Sequence, residues 1–174
     1  PLGSRVMSKL KLTYFNMAAS RGEECRLALW VAGAEFEDHR ISGEEWKELK
    51  PKTPFGSLPI LEAEGKPTVS QSNAILTWVG RQHGLLPTDP WECMRLESLL
   101  HACEDLRHAV IRTFGIQDPA ELQRLRKELA DGPIKTWATQ MQDQIQGPFA
   151  GGTELSVADV KVFILMRWFE KGVL

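Results

Sequence analysis

Lys11-Leu-Thr-Tyr-Phe-Asn-Met-Ala-Ala-Ser-Arg-Gly-Glu-Glu-Cys-Arg26 contains a change of period. Leu10, Leu12 and Tyr14 alternate with Lys11 and Thr13, the two-residue repeat of a strand with one buried face. From Arg21 to Ala32 the repeat becomes helical. Cys25, Ala28, Leu29 and Ala32 share a face, and Gly33 follows as a stop. Strand, loop and helix thus follow one another within some twenty residues. Tyr14, at the end of the strand, is the only tyrosine, beside seven phenylalanines and six tryptophans. The chain rarely uses a phenol to fill space, so the hydroxyl of Tyr14 is a candidate for chemistry as well as for packing.

Working outward, Phe36–Ile41 reads as a second strand. Residues 44–52 are polar, with prolines at 51 and 54, and read as irregular structure or short turns. Leu58–Leu61 and Thr68–Val69 flank a Glu-Gly turn, which predicts a hairpin. A helix follows, N-capped by Ser70 or Ser72, with Ala74, Ile75, Trp78 and Val79 as its apolar stripe. The order is β-α-β-β-β-α. Residues 85–90, Leu-Leu-Pro-Thr-Asp-Pro, break the composition and read as a linker. Beyond it the pattern is helical: 91–114, carrying Met94, Leu96, Leu99, Leu100, Cys103 and Leu106, then 119–146 as one long helix or a broken pair. A further helix opens at Ser156, with Asp159 as a variant capping box and Leu155 and Val160 at the spacing of a hydrophobic staple. The predicted organisation is a leader over 1–6 that looks like the remnant of a cleaved tag, with a native start at Met7, then an α/β domain over 7–84, the linker, and an all-helical domain over 91–174.

The chain has 174 residues, 43% hydrophobic and 25% charged, with a net charge of −2. No basic surface suited to nucleic acid is implied, and no apolar run reaches the ~20 residues that span a bilayer. Cys25, Cys93 and Cys103 lack the spacing of a disulfide framework or a metal site, which favours a reducing, cytoplasmic setting without a metal.

The order β-α-β then β-β-α is that of a thioredoxin-like domain. Where a redox member carries CxxC, this chain has Tyr14-Phe15-Asn16-Met17. A thiol-disulfide role for Cys25 is disfavoured, because it falls on an apolar helix face. Four stretches, LTYFNM, WKELKP with TPFGSLPILE, SQSNAI and LSVADV, resemble cytosolic glutathione transferases, most closely the sigma class. The resemblance implies a homodimer that activates glutathione and conjugates it to small apolar electrophiles. Glutathione would enter as a substrate, with no metal.

It also implies roles residue by residue. Tyr14 would donate its hydroxyl proton to the glutathione sulfur, favouring the thiolate nucleophile. Arg21, at the opening of the first helix, would lie near that sulfur, although the Ala18-Ala19-Ser20 loop is one residue longer than in the sigma pattern. Trp46 and Lys50, four apart, would reach the glycine end of glutathione, where Lys50 would meet its carboxylate. The Leu58–Pro59 bond would be cis and offer the backbone of Leu58 to the cysteinyl unit. Gln71 and Ser72, at a helix N-terminus, would take the γ-glutamyl carboxylate. Glu104 and, preferentially, Asp105 would reach the glutamyl ammonium across a dimer interface. Phe15, Met17, Val110 and Phe114 are candidates for the electrophile surface. Each has a plainer reading as core, cap or solvated charge, and Asp159 is assigned to folding. Ile111-Arg112-Thr113 stands where some sigma members that isomerise prostaglandin endoperoxide carry a tryptophan, so that activity is not expected. The chain stops where the family continues through further helices, which predicts exposure of Phe163, Leu165, Met166 and Trp168. A non-enzymatic binding or scaffold protein on the same fold is the alternative.

Overall fold

The computed structural model describes residues 9–170; the proposed leader and start at Met7 lie outside them. The chain divides into two compact units, Pro1–His83 and Gly84–Leu174.

The first unit is built on a four-stranded sheet of order β2-β1-β3-β4. Strand β1 (Leu10–Phe15) leads through helix α1 (Ser20–Val31) to β2 (Phe36–Ile41), which pairs with it in parallel. The antiparallel hairpin β3 (Ile60–Glu62) and β4 (Val69–Ser70) adds on β1's other side. Helix α3 (Ser72–His83) closes the unit. Leu10, Leu12 and Tyr14 are buried, as their alternation requires, and so are Cys25, Ala28 and Leu29 of α1. The buried face of α3 is turned relative to the sequence reading. Ile75, Leu76, Val79 and Gly80 face inward, whereas Ala74 and Trp78 are exposed.

Residues expected to be irregular instead form helix α2 (Gly43–Leu49). Its cause is a full capping box. Ser42 Oγ accepts from the Glu45 N–H at 3.2 Å, and Glu45 accepts from the Ser42 N–H at 2.7 Å. Pro51 and Pro54 then tighten the chain into two short 3₁₀ turns, Lys50–Lys52 and Pro54–Gly56.

The second unit contains α4 (Pro90–Ile111), α5 (Pro119–Leu129), a π-helical turn at Ala130–Ile134, α6 (Lys135–Gln144) and α7 (Val157–Glu170). The expected linker is partly absorbed here: Leu86 is buried, the Val157 N–H donates to the Leu85 carbonyl, and Asp89 N-caps α4. Met94, expected inward, is half exposed. Asp159 acts structurally, accepting from the Ala150 N–H and from both the N–H and the hydroxyl of Ser156. Phe163 and Met166 are exposed as expected, but Leu165 and Trp168 are buried within the unit. Trp168 is covered by the Phe114 ring and by the Arg107 guanidinium, 5.5 Å from its centroid. Among the described residues no helix is long and apolar enough to cross a membrane.

Candidate functional site

Strand register gathers the candidates. Thr13 pairs with Ile60, and Ile60 with Ser70. One step further along each strand come Tyr14, Pro59 and Gln71, all at one end of the sheet. Helix α2, which carries Trp46, starts just beyond the same end of β2. Residues scattered over sixty positions therefore meet because three strands stop together.

Tyr14 is 7% exposed and fixed from several sides. Its ring lies against the backbone of Gly22, where a Cβ would fall 2.0 Å from Cδ1 and 2.1 Å from Cγ. The Arg26 guanidinium stands 5.8 Å from the ring centroid, and Phe15 meets the ring edge-on at 5.5 Å. Phe15 in turn contacts Trp46, 6.1 Å between centroids.

Arg26 is the residue that sequence reading missed. It is buried on α1 and ties together the end of β1, the loop after it, and β2. Nε donates to Asp38 at 2.7 Å, Nη1 to the Met17 carbonyl at 3.0 Å and Nη2 to the Phe15 carbonyl at 3.1 Å. Glu23, one turn earlier, accepts a further bond. This clamp sets the path of the chain immediately after Tyr14. The only sequence sign was the i,i+3 acid-base pair, which ordinarily marks a helix surface.

The Leu58–Pro59 bond is cis, as the resemblance implied. Gln71 has φ 78° and turns the chain into α3, whose first residue, Ser72, is buried. An N-terminus of this length carries N–H groups and partial positive charge suited to a carboxylate. The Cys25 thiol is fully buried and donates to the Ser72 carbonyl at 3.9 Å, which fits packing rather than thiol chemistry. Arg21 lies half-buried in the first turn of α1, after Ser20 at φ 64°. Lys50 is exposed, with its stem beside Gly56.

Residues 10–81 match the glutathione S-transferase N-terminal domain model. Glutathione S-transferase 1 of Ascaris suum is 38% identical over 127 residues, covering 71% of this chain and 61% of that protein. The class-mu 28 kDa isozyme of Schistosoma japonicum is 31% identical over 158 residues, 87% of this chain and 76% of the isozyme. A solved prostaglandin synthase D of Nilaparvata lugens superposes with a TM-score of 0.84 at 30% identity, over 94% of this chain and 82% of that one. The chain belongs to the glutathione S-transferase family. The matched N-terminal domain of this transferase-family chain holds every candidate named above from Tyr14 to Ser72.

The other candidates lie in the helical unit. Asp105 is exposed on α4. Glu104 is engaged inside its own unit by Arg107 and Lys161, which removes it as a group free to reach elsewhere. Val110 is 0% exposed and is a core residue, not a ligand-facing surface, whereas Phe114 is half exposed. In the first unit Phe15 is half-buried and Met17 exposed.

The clamp behind Tyr14 has a pH signature. Burial raises the pKa of the Asp38 carboxyl, but the hydrogen bonds and charges of Arg26 and Arg40 outweigh that and hold it below the usual aspartate range. Its contribution is complete above the unfolded value of ~3.9 and is lost as pH falls through the lower folded value. Asp38→Asn should therefore lower the denaturation midpoint of the first unit at pH 7. It should also flatten the stability-versus-pH curve below pH ~4 relative to the parent; urea titrations from pH 2.5 to 7 measure both.

Proposed function

We propose that the chain binds glutathione on its first unit and transfers it to small apolar electrophiles, in the manner of a sigma-type transferase. The supporting observation is the convergence of Tyr14, cis-Pro59 and Gln71–Ser72 at one end of the sheet. A glutathione laid across that end would pair its cysteinyl backbone with Leu58 and place its γ-glutamyl carboxylate at the start of α3. Its glycyl carboxylate would lie towards Trp46 and Lys50. The sulfur would then meet the Tyr14 hydroxyl. A thiol is a poor nucleophile until it loses its proton. Hydrogen bonding from Tyr14 would stabilise the thiolate, which attacks the electrophilic carbon and expels the leaving group. Phe15 and Met17 are the proposed apolar contacts on this unit, and the proposed partner of the glutamyl ammonium is Asp105 of a second copy, reaching across a dimer interface.

The test compares wild type with Tyr14→Phe in glutathione binding and in conjugation of a chloronitrobenzene. A charge-assisted hydrogen bond of roughly 1.5–3 kcal/mol predicts a rate loss of about 10- to 100-fold with binding retained. It also predicts a rise of about 1–2 units in the apparent thiol pKa. Glutathione binding without turnover in either protein would support a non-enzymatic carrier instead.

A homodimer is part of the same reading. Phe55 is 85% exposed at φ 58°, so a large apolar side chain sits in solvent on a left-handed backbone. Both costs are offset if a second copy covers the ring. Phe55→Asn, which tolerates that φ, should weaken self-association at least tenfold in sedimentation experiments; an unchanged sedimentation profile would exclude Phe55 from the interface.

A further inference from the structure

The packing of the first unit leaves the first residue of α1 unexplained. Ser20 stands on a left-handed backbone at φ 64°, which a glycine adopts freely and a serine does not. It is 7% exposed, and its hydroxyl bonds to none of the described residues. The oxygen is not one of the fully enclosed atoms that lack a partner, so it keeps an opening. The side chain therefore serves neither the backbone nor a partner inside the fold. A hydroxyl set this deep, with its donor unused, suits an acceptor that comes from outside.

The helix is open at the same end. Ser42, Asp89 and Asp118 each place a side-chain acceptor on the first turn of α2, α4 and α5, whereas Ala19 has none to offer α1. The partial positive charge at the start of this 12-residue helix is met by no cap acceptor, and Glu23 in its first turn is engaged with Arg26. This end lies beside Tyr14. The tyrosine ring takes the place of a side chain at Gly22, and Ser20 precedes Gly22 by about 3 Å of helical rise. An unused hydroxyl, an uncapped helix end and the Tyr14 ring border one spot, and the charge that suits it is negative.

We propose that Ser20 is a second catalytic hydroxyl, donating to the glutathione thiolate from the α1 side while Tyr14 donates from the sheet. This rests on the glutathione reading given above and assigns the sulfur a second partner. The thiol proton passes to water and both hydroxyls keep theirs. The thiolate is then held by two donors and by the field of the helix end, all of which favour the charged form over the thiol.

Ser20→Gly tests the role without burdening the fold, because glycine suits this backbone. Two quantities are measured: the apparent pKa of bound glutathione, from the pH-dependent absorbance of its thiolate, and the affinity for S-methylglutathione, which has no thiolate. Ser20→Gly should raise the thiol pKa by about 0.5–1 unit and slow conjugation about three- to tenfold below that pKa. Its melting temperature should hold or rise, and its affinity for S-methylglutathione should be unchanged. Ser20→Ala, which keeps the Cβ and loses only the hydroxyl, should show the same pKa as Ser20→Gly. Adding Ser20→Gly to Tyr14→Phe should raise the pKa beyond that of Tyr14→Phe alone. If Tyr14→Phe raises the thiol pKa and neither Ser20 variant does, the role of Ser20 is overturned and the glutathione site stands. Equal losses of affinity for glutathione and S-methylglutathione would also overturn it, since Ser20 would then only shape the pocket. A wild-type chain that does not bind glutathione would overturn the reading beneath both hydroxyls.

Discussion

Glu104→Gln is expected to destabilise the helical unit by about 3–5 kcal/mol, the usual cost of removing one member of a buried ionic cluster. Arg107 and Lys161 are both completely buried, and both donate to the same carboxylate oxygen of Glu104, Lys161 Nζ at 2.6 Å. An amide oxygen at that place carries no charge, so both buried cations would lose a carboxylate partner in a medium of low dielectric. Lost attraction and lost desolvation compensation then act in the same direction. Lys161→Met should cost much less, because it removes a charge while Glu104 keeps Arg107. In the Lys161→Met background, Glu104→Gln should cost less than in the parent, since one cation is already gone. Amide hydrogen exchange of α4 and α7, followed as urea is added, measures the loss in this unit. A loss below about 1 kcal/mol for Glu104→Gln would mean that the cluster is effectively solvated.

That cluster also marks where sequence reading stops. Alternation in Leu10–Tyr14 and the helical spacing of Cys25, Ala28 and Leu29 were legible because each rests on neighbours close in sequence, and the same residues are buried in the fold. Helix α2 was missed although its Ser42-x-x-Glu45 signature stood in the chain, because two prolines and a polar composition weighed towards a loop. The face of α3 was misjudged by about one position: Ala74 and Trp78 are compatible with a stripe shared with Ile75 and Val79, but tertiary packing selects Leu76 and Gly80. Trp168 was expected to be exposed at the end of the pattern, yet Phe114 and Arg107, more than fifty residues earlier, cover it. Arg26 failed in a similar way. A lone arginine on a helix reads as solvated until parallel pairing of β1 with β2 brings Asp38 beneath it.

Of the candidate site, Tyr14 and the Leu58–Pro59 turn stood out by composition and by resemblance. What holds Tyr14 in place did not. Nothing near Gly22 in the sequence signals why it is a glycine; the reason is the tyrosine ring that takes the space of a side chain.

Gly22→Ala is therefore expected to be as damaging as a change to Tyr14 itself. In an unobstructed helix this substitution stabilises by about 1 kcal/mol. Here the new methyl would lie 2.0–2.6 Å from three ring and stem atoms of Tyr14. The ring has little freedom to withdraw, since β1 is paired on both sides and Arg26 stands over the aromatic face. Relief requires a shift of α1 or of the ring, at a cost of about 3 kcal/mol. Any such shift also moves the hydroxyl, and a misplacement near 1 Å can lower the conjugation rate by about 100-fold. The decisive comparison is a cycle with Tyr14→Ala. Once the ring is removed, Gly22→Ala should be neutral or stabilising by up to about 1 kcal/mol, because only helix propensity remains. Urea midpoints of the four proteins measure the coupling, and glutathione conjugation by the two that retain Tyr14 measures the displacement. If Gly22→Ala costs the same in both backgrounds, the glycine is required by something other than Tyr14, and the account of how the tyrosine is positioned is wrong.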